Sequence, residues 1–466
     1  MKRLSTVAAA SILLAGCASF SPDGGFDTVS QLTKERTGLG VAAQRGPAER
    51  QLARTRVAEL LGSPLGPESA VEIALLNNRG LQARFADLGI AESDLVRAGR
   101  LKNPSFRFGR MGTGADLEIE RALLFDVLGL LTMPVAREVG QRRFEQAQYQ
   151  AAYDAVGLAA DARSAFFEAV AAQELVQFFQ QVQETAEVSN ELARRMLQAG
   201  NFNKLAQLRE QAFYADATAQ LARAQDQATA AREKLTRLLG LHGEQLDFRL
   251  PQRLPDLPAQ ATEPRSAEQT AMDKRLDVLM ARRSAAATAR SLGLTKATRL
   301  VNVLEVAYQN KSEAGAPRAN GYEVELELPL FDFGATRAAR AEAAYMQAVN
   351  RTAEVAVNAR SEVREAYSAY RTAYDLAKHY RDEVVPLRKR ISEENLLRYN
   401  AMLISVFELL TDAREQIAGV TGYVQALRDF WIADTRLQTA LTGRSPGASG
   451  VAPPAATPGT VPAASH

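Results

Sequence analysis

The segment GYEVELELPLFDFG, residues 321–334, alternates: Tyr322, Val324, Leu326, Leu328 and Leu330 are separated by Glu323, Glu325 and Glu327. A period of two predicts a β-strand with one apolar and one acidic face. A second stretch, ADLEIERALLFD (115–126), sets Glu118 and Glu120 between Leu117 and Ile119. Each strand runs into Phe-Asp and has an upstream partner, NPSFRFG (103–109) and RLVNVLEVAY (299–308). Arg107 falls on the side of its strand that matches the glutamates. The connections RMGTG and NKSEAGAPRANG are Gly-rich and polar, as hairpin loops are.

Elsewhere apolar residues recur at spacings of three and four, the helical period. One long helix is predicted from near Pro134, suited to a first turn, to about Ala199, roughly 98 Å at 1.5 Å per residue. A second runs from near Ala335 to about Asn400, with a kink or break expected at Pro386. The first turns at LQAGNFN (197–203) and the second at YNAMLIS (399–405), and return helices end near Gly240 and Gly443. Ala171, Leu175, Phe178, Val182, Thr185, Ser189, Leu192 and Met196 form a coiled-coil seam that faces Leu221, Ala224, Ala228, Ala231, Leu235 and Leu238.

The pattern occurs twice. Pro67-Glu68-Ser69 and Pro264-Arg265-Ser266 each open an amphipathic helix, 197 residues apart. The glutamate strands are offset by 207 and the helical turns by 202. Repeat 1 therefore spans 66–250 and repeat 2 spans 266–443. A Pro-rich linker (251–265) joins them, and a Pro/Ala/Gly/Ser-rich tail (444–466) follows that is expected to be disordered.

Composition narrows the chemistry. Net charge is +2 in 466 residues, so no basic field calls for nucleic acid. Three scattered histidines and one cysteine give no metal site and no disulfide. No nucleophile–base arrangement or phosphate-cradling glycine loop is present, so no enzyme, catalytic residue or cofactor is expected.

The cysteine is well placed. After Lys2 and Arg3 comes an apolar run of signal-peptide length, then Leu14-Ala15-Gly16-Cys17. This resembles a bacterial lipobox, which implies a signal peptide (1–16) and a mature, exported segment (17–65) acylated on Cys17.

For an exported lipoprotein, strands with aromatics near their ends (Phe106, Phe108, Tyr308, Tyr322) and glutamates on the other face match a transmembrane barrel: apolar outward, charged toward a wet lumen. Four strands cannot close one, because open edges are not tolerated in lipid. Two chains would give eight strands and a filled lumen; three would give twelve and a channel.

The lipobox, the tandem order of elements, and the phrases ALLNNRGLQAR, RLKNP and RRMLQAGNFNKLAQL together resemble the TolC-like outer-membrane efflux proteins over about residues 66–443. The resemblance implies a mainly α fold with a small membrane β-barrel. It would form a homotrimer with a 12-stranded barrel in outer-membrane lipid and a periplasmic helical tube. It also implies docking to a periplasmic adaptor and, through it, an inner-membrane pump. Residues at the turns, Gly200, Asn201, Met402 and Ser405, would be the docking surface. Met402 departs from the family's usual Gly. Glu408 and Asp412 would narrow the periplasmic aperture. The competing readings are a periplasmic adaptor, which would carry one hairpin, and a coiled-coil lipoprotein scaffold without a pore, which leaves the glutamate strands unexplained.

Overall fold

The computed structural model describes residues 19–113, 116–263, 266–301, 303–327, 329–404 and 406–444. Cys17, Leu328, Ser405 and the tail from Ser445 lie outside them. The helices before the sheet are α1 (Phe26–Thr37), α2 (Pro47–Leu61), α3 (Pro67–Asn77) and α4 (Arg79–Ala98). Strands β1 (Ser105–Thr113) and β2 (Asp116–Asp126) follow, then α5 (Val127–Gln198) and α6 (Lys204–Leu239). The second repeat has α7 (Ala267–Lys274), α8 (Leu276–Ala297), β3 (Val303–Glu313), β4 (Ala319–Glu327), α9 (Ala335–His379), α10 (Val385–Asn400) and α11 (Val406–Thr442).

The chain divides into two compact units. The first comprises residues up to Ala162, Lys234–Leu250 and Leu276–Asn358, and the second comprises Arg163–Glu233, Pro251–Arg275 and residues from Ala359. In the first unit, Val71, Leu75, Leu81, Phe85 and Leu88 pack with Phe144, Ala152, Ala155, Val156 and Leu276. The segment expected to be only a lipidated lead-in contributes Phe26, Val29 and Val41 to this core.

The single helix expected from Pro67 is broken at Asn78, whose backbone is extended (φ -67, ψ 117). Its side-chain oxygen accepts from the Leu81 N–H and caps α4. The break also finishes α6, whose last carbonyls lack helical partners. Asn77 Nδ2 donates to the carbonyls of Leu239 (3.1 Å) and Gly240 (2.8 Å), and Asn78 Nδ2 donates to that of Leu238 (2.9 Å). Gly240 (φ 67) permits the approach, because a Cβ there would lie 2.9 Å from the Asn77 carbonyl oxygen. The second repeat breaks at Arg275, the equivalent position, with the same extended backbone (φ -65, ψ 130).

Two further expectations are corrected. Helix α5 begins at Val127 with Pro134 inside it, because Asp126, the last residue of β2, caps the first turn by accepting from the Gly129 N–H (2.7 Å). In the second repeat the irregularity falls one turn before Pro386, as a π-turn over Tyr380–Val384 that leads into α10. Proline lacks an N–H and its ring crowds the carbonyl four residues back, and a widened turn relieves that without ending the helix.

In the second unit, α5 and α6 form one hairpin and α10 and α11 another. The seam begins as expected at Ala171, Leu175 and Val182 but then shifts, so that Ala186 and Ala193 are buried while Thr185 and Leu192 are exposed. The inward positions recur at eleven residues (buried Leu175 to buried Ala186, half-buried Val182 to buried Ala193), the repeat of a nearly straight helix, which drifts about 20° per heptad from a seven-residue seam. Ser189 donates to the buried Glu210 at 2.8 Å across the hairpin.

The Pro-rich linker is a packed strap. Leu254 and Leu257 are buried. Trp431 donates to the Pro255 carbonyl (3.0 Å), Tyr374 to those of Pro258 (3.1 Å) and Ala259 (2.9 Å), and the Thr262 N–H donates to the Tyr370 hydroxyl (2.8 Å). The Leu254 N–H donates to Glu174, whose carboxyl is pushed up by burial against the lowering effect of that bond.

Candidate functional site: an amphipathic sheet and two helical turns

Strands β1 to β4 form one antiparallel sheet in that order, with β1 and β4 at its edges. The strands are longer and the hairpin loops shorter than expected: β1 runs to Thr113 and β2 resumes at Asp116, while β3 reaches Glu313 and β4 resumes at Ala319. Ladder bonds are made by the backbone, so the polar residues RMGT and NKSE pair as readily as apolar ones.

Residues directly opposite each other in an antiparallel ladder share a face. The register sets Ala122 opposite Arg107 and Gln309, Glu120 opposite Gly109 and Lys311, and Glu118 opposite Met111 and Glu313. On the other side of β3, Glu323, Glu325 and Glu327 oppose Ala307, Glu305 and Val303. The sheet thus brings Arg107, Glu118, Glu120, Glu323, Glu325 and Glu327 to one face. Glu305, Lys311 and Glu313 on that face had escaped sequence reading, because only the pairing register reveals them. Lys311 forms an ion pair with Glu118, Gln309 donates to Glu323, and Lys102 lies 3.8 Å from Glu305.

The opposite face is apolar and uncovered. One row runs Phe106, Leu123, Tyr308, Tyr322 and the next contains Phe125, Val306 and Val324. Tyr322 is 84% exposed, Phe106 66% and Val324 56%. Toward the hairpin loops this face becomes polar at the row of Arg121, Asn310 and Asn320, which are linked by bonds of 3.1 and 2.7 Å.

The two helical turns have the same backbone. Gly200 has φ 79 and Met402 φ 59. In each, the following N–H bonds back five residues: Asn201 to the Met196 carbonyl and Leu403 to that of Arg398, both 2.9 Å. This is the Schellman closure, which favours Gly at the left-handed position. Asn201 and Met402 are exposed, Met402 at 93%. Its side chain therefore gains no packing in exchange for the strain. Met402→Gly is expected to stabilise the turn by roughly 1 kcal/mol, read as slower proteolysis at the turn. A faster rate would show that the methionine is held by a contact.

No family model and no curated protein matches the chain. Solved structures do. The outer-membrane channel OprN superposes with a TM-score of 0.68 at 19% identity, covering 84% of this chain and 92% of that one. The outer membrane protein VceC of Vibrio cholerae gives 0.68 at 15% identity, covering 81% and 96%. The open state of the MtrE outer membrane channel of Neisseria gonorrhoeae gives 0.67 at 15% identity, covering 80% and 88%.

The chain has the TolC-like fold of the outer-membrane efflux channels.

Of these neighbours, OprN and MtrE are outer-membrane channels and VceC is an outer membrane protein. Among the described residues of this TolC-like chain no helix is long and apolar enough to cross a membrane. Of the two acidic residues after the second turn, Glu408 is exposed but Asp412 is only 4% exposed, so the pair does not present one open acidic surface.

Proposed function

We propose that this protein is the outer-membrane channel of a tripartite efflux or export system, assembled as a homotrimer. The observation that carries the reading is the sheet. Its strands are 9, 11, 11 and 9 residues long, within the roughly 9–11 that a transmembrane β-strand needs. One face is apolar with an aromatic row, the other is rich in carboxylates, and neither edge has a partner strand among the described residues. Open edges carry unpaired N–H and C=O groups, which lipid does not tolerate. Pairing β4 of one chain with β1 of the next consumes every edge. Three copies then give 12 strands around a lumen lined by Arg107, Glu118, Glu120, Glu323, Glu325 and Glu327.

In this reading Cys17 is acylated and anchors the chain to the outer membrane. The turns at Gly200, Asn201, Met402 and Ser405 dock a periplasmic adaptor that leads to the inner-membrane pump, and Glu408 and Asp412 narrow the aperture. Mass measurement in mild detergent should give three copies, each carrying acyl chains on Cys17, and the same preparation should conduct in planar bilayers. A monodisperse, non-conducting monomer would contradict the proposal.

A further inference from the structure

Helices α10 and α11 line an open groove close to the second turn. It is lined by Arg388, Ile391 and Asn395 from α10 and by Glu408, Thr411, Asp412 and Glu415 from α11. Asp412 lies at its floor. The residue is only 4% exposed, and neither carboxylate oxygen has a hydrogen-bond partner among the described residues. An unpaired carboxylate in such a place is costly, and buried charges are ordinarily paired. Among the described residues the one cation lining the groove is Arg388, and its guanidinium is engaged by Glu415. Asp412 therefore carries a negative charge that no described side chain pairs.

We propose that this groove binds an organic ammonium group, with Asp412 as its counter-ion. Asn395 and Thr411 supply neutral oxygens for the remaining N–H donors, and Ile391 supplies an apolar wall for an alkyl stem. A divalent metal is the poorer match, since no cluster of three metal-ligating side chains exists among the described residues. The inference does not depend on the channel reading, because it concerns one hairpin of one chain.

Titration calorimetry of the full-length protein in detergent with n-butylammonium chloride tests it, with potassium and magnesium chloride as controls. Saturable binding at one site per chain is expected, unaffected by equal potassium or magnesium. Asp412→Asn should weaken it at least ~30-fold, the loss for removing one side of a buried charge pair, while Glu408→Gln, at the exposed rim, should weaken it far less. Absence of saturable binding in the wild type would overturn the proposal. So would equal affinity in the Asp412→Asn protein, or displacement by magnesium at matching concentration. Should Asp412→Asn fail to fold, Thr411→Val and Asn395→Leu should each still reduce affinity, and unchanged affinity in both would equally overturn it.

Discussion

Val324→Arg is expected to abolish outer-membrane insertion, whereas Glu325→Arg, one residue away, should insert and assemble. Val324 opposes Val306 in the middle of the apolar face, one row in from the Leu123–Tyr308–Tyr322 row, and is 56% exposed. On a barrel exterior it faces acyl chains. Arginine near the bilayer midplane costs roughly 2–4 kcal/mol per site, and in the proposed trimer that cost is incurred three times. Glu325 opposes Glu305 on the carboxylate face. Arginine there meets an acidic partner on the face that the proposed barrel turns to its wet lumen, so it should be tolerated. Successive strand residues point to opposite faces, so position alone separates the two variants. Fractionation of membranes followed by mass measurement reads the result. Equal behaviour of the two variants would mean that neither face is in lipid.

Arg275→Met should cost the second unit about 3 kcal/mol, the lower end of the range for stranding one partner of a buried ion pair. Arg275 is 1% exposed; its guanidinium reaches Glu362 at 2.6 Å and the Ala359 carbonyl at 3.4 Å. The Glu362 side chain is 25% exposed, so water partly relieves its carboxylate, which is why the lower end applies. Arg275→Met with Glu362→Met should recover most of the loss, since an apolar pair of similar volume replaces the charges without leaving one unpaired. Urea titration followed by circular dichroism in detergent measures both. A single-variant loss below about 1 kcal/mol, or a double variant worse than the single, would show that the pair is not what holds this helix break.

The features legible in the sequence are those set by local periodicity. Alternation at 117–120 and 322–327 requires a two-faced strand whatever surrounds it, and the repeat offsets follow from the same pattern occurring twice. The turns at Gly200 and Met402 were legible from small and polar residues between helical runs. The tertiary structure alone decided the rest. Asn78 and Arg275 look like ordinary helix residues, and they break their helices because distant groups reward it: the carbonyls that end α6 in one case and Glu362 in the other. The long seam passed from heptad to eleven-residue spacing because twist accumulates over many turns and no short window contains it. Glu305 and Lys311 joined the charged face only through register with strands as far as 191 positions away, as in the Glu120–Lys311 pair. Asp412 reads from its neighbours as one more solvated acid near a turn. Packing of α10 against α11 buried it beneath an open groove without a hydrogen-bond partner among the described residues, because burial depends on what crosses a residue in space and not on what precedes it in the chain.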